Sequence, residues 1–238
     1  MPLSTLLSSA VVDLISTKES NAVQALPPEA KAVRPLLQTQ AQWSIIPDHE
    51  SLLIEQWQGR DGFHTFIFPF EGRLVHEGLA ALVAWRIANR RPTTLNLAAT
   101  DWGFELSGRH PLHFDSHMWK QLFHPNNLLE DLLSCLNSTE MTRRHFREIA
   151  RVAGLISATG RTTRQTQASA GLIYDVLLEH DGNNMLLSQA RREVLEQQFE
   201  FQRLSSALES ISSKQIRIMK TSHITPLAFP IWATLVQS

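Results

Sequence analysis

The sequence predicts an α+β fold: an antiparallel β-β-α-β-β unit followed by a mostly helical C-terminal half. Three observations carry that prediction. Residues 51–57 and 63–68 are β-rich runs separated by the turn chemistry of Gly59, Asp61 and Gly62, which predicts a hairpin. Residues 72–90 then switch to helical periodicity, and two further alternating runs follow within residues 94–106. Beyond Asn127 the strand pattern gives way to helices, and strands first with helices afterwards argue for α+β over a parallel doubly wound sheet.

In chain order, residues 1–40 are rich in Ala, Leu, Ser and Pro and read as a helical connector. Residues 1–15 are apolar but lack a basic lead and carry Asp13, so they read as a short helix and not as an export signal. Pro27 and Pro28 open a second helix, since proline is tolerated in a first turn. Residues 41–238 form one domain, β-rich over 41–110 and helical over 125–238. In the helix over 72–90, Leu74, Val75, Leu79, Leu82, Val83 and Trp85 share one arc and Ala80, Ala81 and Ala84 another, so both faces are expected to be covered. Gly72, between strand and helix, allows torsions that a Cβ resists. Residues 108–124 read as a polar, histidine-rich loop. Helices are expected over 127–136, 138–155 and 184–212, a short strand over 215–219, and a terminal helix after Pro230.

Composition sets bounds. At 238 residues and 43% hydrophobic, the chain buries a proper core. Its 22 Lys+Arg against 23 Asp+Glu leave a net charge of -1, so contact with a polyanion needs a local patch. The single cysteine, Cys135, supports no internal disulfide and points to a reducing, cytoplasmic setting. The longest apolar run, 78–85, falls short of the about 20 residues that span a bilayer, so no membrane partner is expected. None of the ten glycines is followed by lysine and no Asp-Glu dipeptide occurs, so neither the phosphate-cradling loop nor the magnesium-holding acidic pair of a nucleotide hydrolase is present. The G-x-S-x-G, H-E-x-x-H and G-x-G-x-x-G patterns are absent as well. No catalytic residue is assigned.

Three constellations remain. On the helix after Ser138, Arg143, Arg144, Arg147 and Arg151 fall within about 100° of arc, with Met141, Phe146, Ile149 and Val152 on the far side. Such a comb meets successive phosphates; equally, it is a solvated face paired with Glu140 and Glu148, or a docking surface for an acidic partner. His110, His113, His117 and His124, with Asp115, have ligand chemistry, but Pro111 breaks any helix that would align them, so surface histidines are the simpler reading. Among the aromatics, Trp43 and Trp57 are candidates for exposed stacking platforms.

The run from Phe68 to Leu79, FPFEGRLVHEGL, resembles the signature of the domain that follows the helicase core in Lhr-type superfamily 2 DNA helicases, in particular the ligase-associated branch. Blocks at 101–105 (DWGFE), 127–131 (NLLED), 144–150 (RHFREIA), 164–169 (RQTQAS) and 225–230 (TPLAFP) are similar in kind and order. The resemblance runs from about Ala30 to the C-terminus. It implies a non-catalytic accessory domain of an ATP-dependent repair helicase that contacts single-stranded DNA and braces two RecA-like motor domains. The motor, with its ATP and magnesium, is absent from this chain, residues 1–40 then being the connector from a missing upstream domain. The alternative is a protein-interaction module that docks on the motor without touching DNA. Arg73 and His76, on the first turn of the helix after Gly72, are expected to face DNA or another domain, with an Arg73–Glu77 pair as the simpler fate of Arg73. Arg164 is the remaining DNA contact implied, beside a segment, 156–163, that is shorter here than in the pattern.

Overall fold

The computed structural model describes residues 5–16, 28–137, 140–156, 163–198 and 201–236. They form two compact units, one of residues 1–126 with 202–238 and the other of residues 127–201.

The first unit holds the sheet. Helices α1 (Thr5–Ser16) and α2 (Pro28–Trp43) precede β1 (Ser51–Gln58) and β2 (Phe63–Phe68). Then come α3 (Arg73–Arg90), β3 (Asn96–Ala99), β4 (Phe104–Gly108) and α4 (Ser116–Leu122). The strand order is β3-β4-β2-β1-β5, with antiparallel pairing throughout except that the last strand lies parallel to β1. That strand, β5 (Gln215–Thr221), follows α9 (Phe201–Ser213) and precedes α10 (Phe229–Val236). Leu52, Leu53 and Ile54 are all completely enclosed, which requires cover on both faces of the sheet. One face carries Leu53, Phe66 and Phe68 into a cluster with Val12 of α1 and Ile231 of α10. The other face turns Phe104, Leu106 and Ile67 inward, and Phe104 meets Phe123 edge-on behind α4.

The predicted β-β-α-β-β order and the late strand are as expected. Residues 202–236 return to complete the sheet, so a β-rich half and a helical half do not describe the compact units. Parts of residues 1–40 also pack on the sheet. Val12 is buried in the sheet core, and fully buried Gln40 donates to Glu55 on β1 at 2.7 Å. Glu55 also accepts from Thr225, and burial pushes its carboxyl above the usual range despite these bonds. The stretch 108–124 contains α4, which starts where Asp115 accepts from the Met118 amide at 2.8 Å. On α3, Val75, Leu79, Ala80, Leu82 and Val83 are covered, whereas Leu74, Trp85, Ala81 and Ala84 are only half-buried.

Two glycines carry the turn between β2 and α3 and its neighbour. Gly72 caps α3 at φ 89°, the left-handed region anticipated for it, and Phe70 before it also has a positive φ of 59°. A Cβ at Gly103 would stand 2.3 Å from the Ile67 carbonyl, so the DWGFE block needs glycine where β4 begins against β2.

The second unit contains α5 (Leu128–Asn137), α6 (Glu140–Val152), α7 (Thr163–His180) and α8 (Met185–Gln198). Phe146, Ile149, Ala150, Ile156, Ala170, Tyr174, Leu187 and Ala190 are its core, with Phe146 and Tyr174 in edge contact at 5.4 Å. Helix α7 falls where no helix was expected. The expected single helix over 184–212 is instead α8 and α9, one in each unit, and residues 199 and 200 between them lie outside the described residues.

Candidate nucleic-acid interface

Helix α6 is the sharpest amphipath among the described residues, and its sequence explains how. Phe146 and Ala150, four residues apart, and Ile149 point into the core of the second unit, which leaves Arg151 on the outward side. Arg151 is exposed and pairs with Glu148 at 2.7 Å, itself exposed. Such a pair at the surface is worth about 0 to 1 kcal/mol, so it yields readily to a phosphate. Arg147 is half-buried, and its Nε is enclosed without a hydrogen-bond partner among the described residues. Arg143, Arg144 and Arg164 lie in α6 and α7, but their side chains, like those of Glu140 and Met141, are outside the described residues. Val152, expected on the apolar side, is 85% exposed, because it lies one residue before the helix gives way to the turn at Gly154.

At the start of α3 the two expected contacts part company. Arg73 is exposed and its Nε donates to Glu77 at 2.9 Å, the i,i+4 pair that was the simpler expectation. His76 is fully enclosed and does not face a partner. Its Nε2 accepts from the Glu71 amide at 3.0 Å and its Nδ1 donates to the Thr100 carbonyl at 2.6 Å. Burial pushes its pKa down to about 4, which keeps the ring neutral and able to accept and donate at once. The Glu71 carbonyl is held from the other side by Arg203 of α9, at 2.7 Å. The FPFEGRLVHEGL run is therefore a fastening: it ties the β2–α3 turn to the β3–β4 turn and to α9. His76 was expected to face DNA or another domain from the first turn of α3, but the Glu71 and Thr100 segments fold over it and take both ring nitrogens.

Among the aromatics, Trp43 is 43% exposed and stacks on His223, with ring centroids 5.1 Å apart. Trp57 is half-buried between His64 and Trp232. The histidines at 110, 113, 117 and 124 are exposed, and among the described residues no three metal-binding side chains are brought together. No helix among them is long and apolar enough to cross a membrane.

The profile of the DEAD/H associated family matches residues 46–228, from just before β1 to just before α10. The chain belongs to the DEAD/H associated family. Curated relatives include the ATP-dependent helicase Lhr-Core protein 2 of Thermococcus barophilus, 26% identical over 208 residues that cover 84% of this chain and 24% of the relative. The Lhr-Core helicase of Saccharolobus solfataricus is 26% identical over 180 residues, or 73% of this chain and 20% of the relative. This DEAD/H associated chain thus spans about a quarter or less of the curated relatives it matches. In fold it is similar to the Mycobacterium smegmatis helicase Lhr, solved bound to ssDNA and AMP-PNP, with a TM-score of 0.75 at 17% identity over 97% of this chain and 32% of that one. It is a helicase-associated domain of the kind found in Lhr-type helicases, as the ordered sequence blocks implied.

Proposed function

We propose that this DEAD/H associated chain is a non-catalytic accessory module of an ATP-dependent repair helicase, contacting single-stranded DNA along α6 and bracing RecA-like motor domains that supply ATP and magnesium chemistry. The observation that carries the reading is Arg151, exposed and paired among the described residues with an equally exposed carboxylate one turn away, with the half-buried Arg147 four residues before it on the same helix. Cations one helical turn apart suit successive phosphates, and the similar Lhr helicase was solved with ssDNA. In a molecule of net charge -1, this local concentration is what a backbone reader needs.

The test is fluorescence anisotropy with a labelled single-stranded oligonucleotide over a salt series. With three or four arginine contacts, the log–log salt slope is expected at about -2 to -3. The double variant Arg147→Gln/Arg151→Gln should flatten it by about 1.4, two contacts' worth. Absence of binding at about 100 μM in low salt, the weak end of non-specific affinity, would contradict the DNA reading. Binding to RecA-like domains supplied in trans, with no response to DNA, would favour the docking module instead.

A further inference from the structure

The β1–β2 hairpin closes on an ionic bridge for which the DNA contact has no use. His64, the second residue of β2, is 2% exposed, and both ring nitrogens face carboxylates. Its Nδ1 lies 2.6 Å from Oε1 of Glu105 on β4, and its Nε2 lies 3.2 Å from Oδ1 of Asp61 in the hairpin turn. An ionised carboxylate only accepts hydrogen bonds, and an imidazole donates from both nitrogens only when it carries the extra proton. The arrangement is that of an imidazolium spanning two carboxylates.

The two ends are unequal. The Glu105 side chain is fully enclosed, whereas that of Asp61 is 55% exposed. The Asp61 carboxylate folds over Gly59, where an added Cβ would lie 2.6 Å from its Oδ1 and 2.8 Å from the Trp57 ring. The Gly59 amide donates across the turn to the Gly62 carbonyl at 2.9 Å, and the Trp57 ring lies 5.0 Å from that of His64. The same turn, with Asn96, Ser107 and Arg109, lines an open cleft of about 1060 Å³ at the β3 side of the sheet.

The geometry points to a proton-operated latch: protonated His64 holds the hairpin tip, residues 59–62, against β4, and loss of the proton releases Asp61 and moves one wall of the cleft. Once the proton leaves, one nitrogen becomes an acceptor facing an acceptor. The shorter, shielded Glu105 bond keeps its donor, so the Nε2 lone pair is left opposite Asp61, and that exposed carboxylate turns to water. The charged groups that face the ring nitrogens are Glu105 from β4 and Asp61 from the turn, and Arg109 and His110 beyond β4 line the same cleft. Burial alone would lower the His64 pKa, but Glu105 and then Asp61 outweigh it and hold the value above the ordinary 6.5. The bridge's contribution to stability is therefore fully present below 6.5 and is lost as pH rises through the raised value.

The experiment is NMR on the whole chain from roughly pH 6 to 9, a range that brackets a raised imidazole pKa. Long-range proton–nitrogen correlations report the protonation of His64, and hydrogen exchange reports the protection factor of the Gly59 amide. We expect His64 to be doubly protonated at the acid end, and Gly59 protection to fall about tenfold through the same transition that deprotonates the ring, the factor for one charge-assisted hydrogen bond. In Asp61→Asn that protection should no longer follow pH. The latch is overturned by a singly protonated His64 at the acid end, by Gly59 protection that ignores the transition, or by a pH dependence that survives in Asp61→Asn.

Discussion

Replacing His76 by alanine should lower the stability of the folded chain by roughly 3 to 4 kcal/mol and its melting temperature by about 10 °C. The variant strands a buried amide at Glu71 and a carbonyl at Thr100, and it empties the space of a fully enclosed ring. Loss of the ring also frees the turn at Phe70 and Gly72, whose positive φ angles persist because both flanks are fastened. The pH dependence carries a separate signature. The folded pKa of about 4 lies below the ordinary 6.5, so the neutral ring's contribution is fully present above 6.5 and is lost as pH falls towards 4. Denaturant unfolding at a series of pH values should show the acid-side slope shallower in His76→Ala than in the parent.

Arg86 is expected to be nearly as costly. It is 9% exposed near the end of α3, and its guanidinium donates to the carbonyls of Leu122 and His124, each at 2.7 Å, and of Asn126 at 3.1 Å. Those carbonyls end α4 and lead to the residue where the first unit stops. Arg86→Met keeps most of the packing and removes every donor, so the loss, roughly 3 kcal/mol, is that of charge-assisted bonds to partly buried acceptors. Calorimetry measures it directly. Arg86→Lys should recover little, because one ammonium cannot reach three carbonyls in the fork that a planar guanidinium supplies.

These two residues mark where the sequence could and could not be read. The hairpin, α3 and the late strand were legible because their period is local: alternation in 51–57 and 63–68, and a 3.6-residue repeat after Gly72. The parallel pairing of β5 with β1 joins residues more than 160 positions apart, and no local pattern announces it. The split of 184–212 into two helices is hidden in the same way, since α9 continues the local pattern of α8 although it groups with the sheet. Helix α7 was overlooked because its Thr- and Gln-rich start, residues 163–167, lacks an apolar stripe. Among candidate site residues, the Arg73–Glu77 pair followed from i,i+4 spacing alone. His76 did not, because what buries it are Glu71 and Thr100 backbone groups, which carry no side-chain signal. Arg86 did leave a trace, a lone cation among Leu82, Val83 and Ile87 on the covered face of α3. The His64 bridge left none, since it joins residue 64 to residue 105 across paired strands.

The first unit spends charged and polar groups on fastening turns, and α6 of the second unit exposes Arg151. Whether that helix meets a nucleic-acid backbone is decided most directly by amide chemical-shift mapping on the whole chain as a short single-stranded oligonucleotide is added at low salt. The account predicts shifts concentrated between residues 143 and 151 and their reversal when salt is raised. Shifts confined to the sheet unit, or none at saturating oligonucleotide, would contradict it.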